Sequence, residues 1–185
     1  ADTYIVLPEY GHLSPAKACP KAKVAALKAL QIDDELAEAH NSLAGVMSGY
    51  DWDFAGAEKE HKRAIELNPG YATARQWYAN LLSWLGRHEE AIREVRIARN
   101  LDPLSPIICL NVGADFYAER QYGQALEELN KALDVEPKFW ITHMYLGLTY
   151  EAMGEYEEAI KYFLRSIELS GGSEERDYNI AGCYA

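Results

Sequence analysis

An all-α fold, a right-handed α-α superhelix (solenoid) of stacked helical hairpins, is predicted by three observations. Alanines recur at a fixed interval: Ala57, Ala91, Ala125 and Ala159 stand 34 residues apart (91−57, 125−91, 159−125). Seven residues after each, two turns along the same helix face, comes a second small residue, Ala64, Ala98, Ala132 and Ser166. Five further on stand Pro69, Pro103 and Pro137, where a missing N–H and a fixed φ stop a helix; the fourth copy has Gly171-Gly172 instead.

The alanine-bearing segments predict second helices over 54–67, 88–101, 122–135 and 156–169. Each is preceded by another amphipathic segment, such as "VGADFYAER" and "LGLTYEAMG", giving first helices over 37–49, 73–85, 107–119 and 141–153. Gly113 and Gly147 in these segments leave room for a neighbouring backbone. At the N-terminal flank, Ala22 and Ala29 repeat the seven-residue step, so "PKAKVAALKALQI" is a second helix with Pro20 in its first turn. Its first helix is the stub around Tyr4, and the nine extra residues "LPEYGHLSP", with Pro8, Gly11 and Pro15, form an enlarged loop. At the other end "EERDYNIAGCYA" matches only a first helix, so the array is cut within a unit. The chain starts at Ala1 rather than Met and reads as a piece of a longer protein. The expected organisation is one array over 1–185: a divergent partial repeat at 1–36, full repeats at 37–71, 72–105, 106–139 and 140–173, and a truncated one at 174–185.

Leu146-Gly147 with Tyr150, Ala159 with Phe163, and Ala125 with Pro137 resemble the tetratricopeptide repeat, W-x2-L-G-x2-Y, then A-x3-F, then P. The signature Trp is absent; His40, Arg75, Cys109 and His143 take its place, and Ala44 and Ala79 answer Gly147 in the first two units. The wording "YDWDFAGAEKEHKRAIELNPGYATARQWYA" with "LDPLSPII" is similar to arrays appended to bacterial multidomain signalling proteins, which implies an output domain outside this chain.

Composition limits the partners. At 185 residues, with 49% hydrophobic and 25% charged, the chain is expected to fold around a sizeable core. A net charge of -11 repels phosphate backbones and anionic lipid, so neither nucleic acid nor membrane is an expected partner. No stretch approaches a spanning length of apolar residues, and Cys19, Cys109 and Cys183 form no C-x-x-C, which fits a reducing, cytoplasmic setting.

No catalytic residue, metal ligand set or cofactor is assigned. Asp51, Asp53 and Gly56 open like a calcium loop, yet Ala55 and Lys62 stand where ligands belong. The segment reads instead as a turn with one extra residue, since Leu43 to Tyr78 is 35, with Trp52 and Phe54 packing the corner. The histidines sit singly and read as packing residues. Gly45 and Gly49 imply close packing or a weak first helix, and Glu89-Glu90 and Glu157-Glu158 complement helix dipoles.

The resemblance implies a protein or peptide ligand held on a concave face lined by first helices. Stepping one period gives the rows Glu38, Thr73, Ile107, Ile141 and Asn41, Gln76, Leu110, Met144, with Gly45, Asn80, Ala114, Leu148 and Ser48, Ser83, Tyr117, Glu151 deeper. The partner surface is expected at Ile107, Leu110, Ile141, Met144 and Leu148, flanked by Gln76, Trp77, Asn80, Trp84, Asn111 and Tyr117, and it favours apolar ligand side chains. The competing reading is that this patch packs between units. Asn80 and Asn111 fall in the Asn places of the family's carboxylate clamp, but Gln76, Ile141 and Tyr145 occupy the basic places. A second functional class is self-association through the array ends, where Ile180, Cys183 and Tyr184 lack a covering helix.

Overall fold

A computed structural model describes residues 14–171 and divides the chain at Leu101/Asp102 into two compact units. The expected stub at Tyr4, most of the enlarged loop and the terminal segment with Ile180, Cys183 and Tyr184 lie outside the described residues. Among those described there are nine α-helices and no strand. The N-terminal unit holds α1 (Pro15–Ile32), α2 (Ala37–Val46), α3 (Phe54–Leu67), α4 (Ala72–Trp84) and α5 (His88–Leu101). The C-terminal unit holds α6 (Pro106–Ala118), α7 (Tyr122–Val135), α8 (Trp140–Ala152) and α9 (Tyr156–Leu169).

Small side chains at constant spacing decide how these helices pair. Ala57 and Ala64, Ala91 and Ala98, Ala125 and Ala132, and Ala159 and Ser166 are all buried, which lets each second helix lie closely on the first helix before it. The hairpins are thus α2/α3 and α4/α5 in one unit and α6/α7 and α8/α9 in the other. Within each unit the hairpins stack, α3 on α4 and α7 on α8, and the first helices also touch, α2 with α4 and α6 with α8. Between the two small residues sits a larger buried one, His61, Val95, Leu129 or Phe163, again 34 apart.

Every hairpin among the described residues closes through a left-handed residue. Two residues before each second helix the backbone turns left-handed, at Trp52 (φ 60), Gly86 (φ 74), Arg120 (φ 57) and Gly154 (φ 80). In three hairpins the next amide reaches back five residues, Arg87 to Leu82, Gln121 to Phe116 and Glu155 to Tyr150, each at 2.9 Å, which satisfies carbonyls left open at a helix end. In the first hairpin Asp53 reaches back six, to Met47, at 2.9 Å. The extra residue of the 35-residue spacing is therefore absorbed as a π-helical turn at Met47–Asp51 that ends α2 early.

Several local expectations are corrected. Helix α1 begins at Pro15, so Pro15 is a first helical residue rather than loop and Pro20 lies inside the helix. Its buried stripe is Ala18, Ala22 and Ala26, one residue per turn, with Ala29 only half-buried. Trp52 touches Phe54 edge-on at 6.0 Å but is 74% exposed, so it caps the corner without filling it. A Cβ on Gly49 would meet nothing within 4 Å, so this glycine serves the π turn and not close packing.

Candidate functional site

The residues that replace the signature Trp share one task. At this place the side chain reaches the backbone carbonyl six residues earlier, in the turn entering its own hairpin. His40 Nε2 donates to Asp34 (2.9 Å), Arg75 Nε to Pro69 (3.3 Å), Cys109 Sγ to Pro103 (3.4 Å) and His143 Nε2 to Pro137 (2.9 Å). The same side chains face the second helix: His40 Nδ1 lies 2.6 Å from Glu60, Arg75 Nη1 donates to Glu94 at 2.7 Å, and the His143 ring lies 6.0 Å from that of Tyr162. Four residues of three chemical types thus tie the entry turn to the hairpin, and none is arranged as a ligand or base.

The strongest electrostatic cluster is also a tie. The Glu58 carboxylate accepts from Lys62 Nζ (2.7 Å), Tyr78 Oη (2.9 Å) and Arg87 Nη1 (2.9 Å), while Arg87 holds Glu90 with two further bonds, at 2.7 and 2.8 Å. These donors, Lys62 first, hold the Glu58 carboxyl down to about 2, and Glu90 and Glu58 push the guanidinium above its ordinary value. A carboxylate saturated by three donors joins α3, α4 and the following turn; it is not poised to take a proton. Asp53 caps α3 by accepting from the Gly56 amide at 2.9 Å, and Asp51 pairs with Lys23 at 2.6 Å, so both carboxylates of the calcium-like segment have structural partners.

His61 is the buried polar residue that periodicity points to and residue type conceals. It occupies the place of Val95, Leu129 and Phe163, is fully buried, and donates from Nδ1 to Asn41 Oδ1 at 2.9 Å. Burial holds its ring down to about 3, so the imidazole is neutral at pH 7. Its signal was present in the sequence as a histidine in the signature Phe place.

The expected partner surface separates into covered and accessible parts. Leu110 is 2% exposed, inside a cluster with Cys109, Leu129, Ala132 and Leu146, and Ile141 and Tyr145 pack against that cluster. Gln76 and Asn111 are buried as well, so the row running through Asn41, Gln76 and Leu110 lies between helices and is not open surface. The reason is that a first helix is covered on two sides, by its own second helix and by the other first helix of its unit. What is left open on the C-terminal unit is Ile107, 38% exposed, with half-buried Ile141, Met144 and Leu148. Half-buried Tyr117 meets Tyr145 edge-on at 6.1 Å and Tyr122 at 6.1 Å. Burial raises the hydroxyl pKa of Tyr145 and Tyr117, so both stay neutral and contribute apolar faces with polar tips. In the N-terminal unit α4 separately presents Trp84, 64% exposed, and half-buried Trp77 and Asn80. No helix among the described residues is long and apolar enough to cross a membrane, and among them no group of three His, Cys, Asp or Glu side chains could hold a metal ion.

Residues 52–107 match the family described as Tetratricopeptide repeat, and residues 112–180 match the family described as Regulator of microtubule dynamics protein 1-3. Intraflagellar transport protein 70A of Danio rerio is 27% identical over 143 residues, which are 77% of this chain and 21% of that protein. The chain spans about a fifth of the length of the curated relatives it matches first. Among solved structures, TTC0263, a thermophilic TPR protein of Thermus thermophilus, superposes with a TM-score of 0.82 at 18% identity, covering 100% of this chain and 99% of that one. The first TPR of Spaghetti (RPAP3), solved with an HSP90 peptide, superposes with a TM-score of 0.56 at 20% identity over 61% of this chain and 90% of that chain. These structural likenesses fix the fold: an all-α helical repeat built of tetratricopeptide-type hairpins.

Proposed function

Starting from a chain built of tetratricopeptide-type hairpins, we propose that it is a non-catalytic scaffold that binds a peptide or partner protein on the first-helix face of its C-terminal unit. The observation that carries this reading is the partly open apolar set Ile107, Ile141, Met144 and Leu148 on the touching helices α6 and α8. Three partner side chains buried there return about 1.5 to 3 kcal/mol each, against several kcal/mol of association cost, so binding is expected to be no tighter than about micromolar. A neighbour solved with a bound peptide supports the mode, and neither matched family description names a catalytic activity. The proposal includes that the chain acts within a larger regulatory protein. A bacterial context rests on the wording of the first two repeats alone, and the first curated relatives are eukaryotic.

The test is selection of peptides against the full chain from a random display library. Enriched peptides carry apolar anchors, and their binding weakens at least tenfold when Ile107→Glu and Met144→Glu are combined in a variant with unchanged helicity. Peptides insensitive to that pair of changes overturn the reading.

A further inference from the structure

Helix α1 is the exception in an acidic chain. It carries Lys17, Lys21, Lys23 and Lys28 and no acidic residue, whereas the whole chain has 29 acidic against 18 basic residues. Its inner side is alanine, Ala18, Ala22 and Ala26, packed toward α2. Its outer side follows helical steps of four, three and four: Lys17, Lys21, Val24 and Lys28, with Leu27 beside them. Val24 is 54% and Leu27 42% exposed, and Lys17 and Lys28 are exposed. Lys23 on this helix pairs with Asp51 at 2.6 Å.

The charge order is not the one that steadies a helix. Acidic residues belong in a first turn and cations in a last turn; α1 has neither, and Lys17 stands at its third position. Helices α5 and α9 obey the rule with Glu89 and Glu90 and with Glu157 and Glu158.

We propose that the outer face of α1 docks an acidic amphipathic segment of a partner protein, its carboxylates on Lys17 and Lys28 and its apolar side chains over Val24 and Leu27. The two lysines are eleven residues apart, about 16 Å along the axis, which matches three turns of a docking helix. A membrane surface fits less well. The turn that follows α1 exposes Asp33, Asp34 and Glu35, which an extended anionic lipid surface repels.

The test uses the full chain and a designed helical peptide of about 18 residues with a leucine stripe flanked by glutamates. Its controls are the same peptide with lysine for glutamate, and vesicles of about 30% phosphatidylserine. The glutamate peptide is expected to bind, weakening several-fold between about 50 and 300 mM salt. Lys17→Glu with Lys28→Glu is expected to reduce binding at least tenfold while leaving helicity and the urea midpoint unchanged. Ile107→Glu with Met144→Glu is expected to leave it unchanged, which separates this face from the C-terminal site. Equal binding by the lysine variant, equal binding of the lysine peptide, or tighter partition onto vesicles than onto the peptide overturns the proposal. So does a dimer of the chain that the lysine variant abolishes, because the face would then belong to a second copy.

Discussion

Gly147 on α8 lies against the ring of Phe163 on α9 so closely that a Cβ there would come within 2.5 Å of Cδ1 and Cε1. Gly113 stands in the same relation to Leu129, at 2.6 Å from Cγ and 3.1 Å from its backbone nitrogen. The absence of a side chain on the first helix is what admits a large one on the second. Gly147→Ala is expected to destabilise the C-terminal unit by about 1 to 3 kcal/mol through overpacking, and Gly113→Ala by at least as much, since backbone yields less than a side chain. Gly123→Ala is the control: a Cβ there meets nothing within 4 Å, and a helical alanine gains up to about 1 kcal/mol. Urea unfolding of the three variants checks the order.

The left-handed residue before each second helix gives a second contrast. Glycine holds this place at Gly86 and Gly154, while Trp52 and Arg120 hold it at φ 60 and φ 57, where a Cβ crowds the following carbonyl. Arg120→Gly is expected to stabilise by about 0.5 to 1 kcal/mol after the entropy cost of glycine, and Gly86→Ala to destabilise by about 1 kcal/mol. Thermal melts that move in opposite directions for these two changes support the assignment.

The second helices were legible because burial and termination share one signal: Ala57, Ala64 and Pro69 state face, spacing and end together. The observed helices 54–67, 88–101, 122–135 and 156–169 coincide with the expected ones for that reason. The extra residue between Leu43 and Tyr78 was countable, but reading it into the inter-helix turn missed the π turn at Met47–Asp51, because a turn and a π bulge cost the chain the same length. The partner face was legible only in part. Periodicity says that Ile107 and Leu110 share a helix side; it does not say that α7 and α8 close over Leu110 and leave Ile107 open. The Asn41–His61 pair was hidden because a polar residue in an apolar place looks like divergence until its partner is seen.

Arg75 carries both bonds of the signature-Trp place, to the Pro69 carbonyl at 3.3 Å and to Glu94 at 2.7 Å. Its side chain is largely covered, at 16% exposure, so solvent screens the pair only in part. Arg75→Ala is expected to cost about 1 to 2 kcal/mol. Arg75→Lys restores the ion pair without the carbonyl bond and recovers part of that loss. A double-mutant cycle with Glu94→Gln, read by urea midpoints, separates the two contributions; additivity within about 0.3 kcal/mol shows that the Glu94 contact contributes nothing.

His61 gives the N-terminal unit a defined response to acid. Burial holds its ring down to about 3 in the folded chain against 6.5 for an ordinary histidine, so the unfolded chain binds the extra proton between those values. The sign follows: this contribution to stability is complete above pH 6.5 and is lost as pH falls toward 3. Glu58, held down to about 2, adds a loss of the same sign, but only once pH drops below its ordinary 4.5. Between pH 6.5 and 4.5 His61 contributes a slope of order 1 kcal/mol per pH unit. His61→Gln keeps a donor toward Asn41 and cannot take the proton. Its urea midpoint is expected to fall less steeply across that window than the parent chain's; parallel slopes would show that the unit opens to water around His61 before it unfolds.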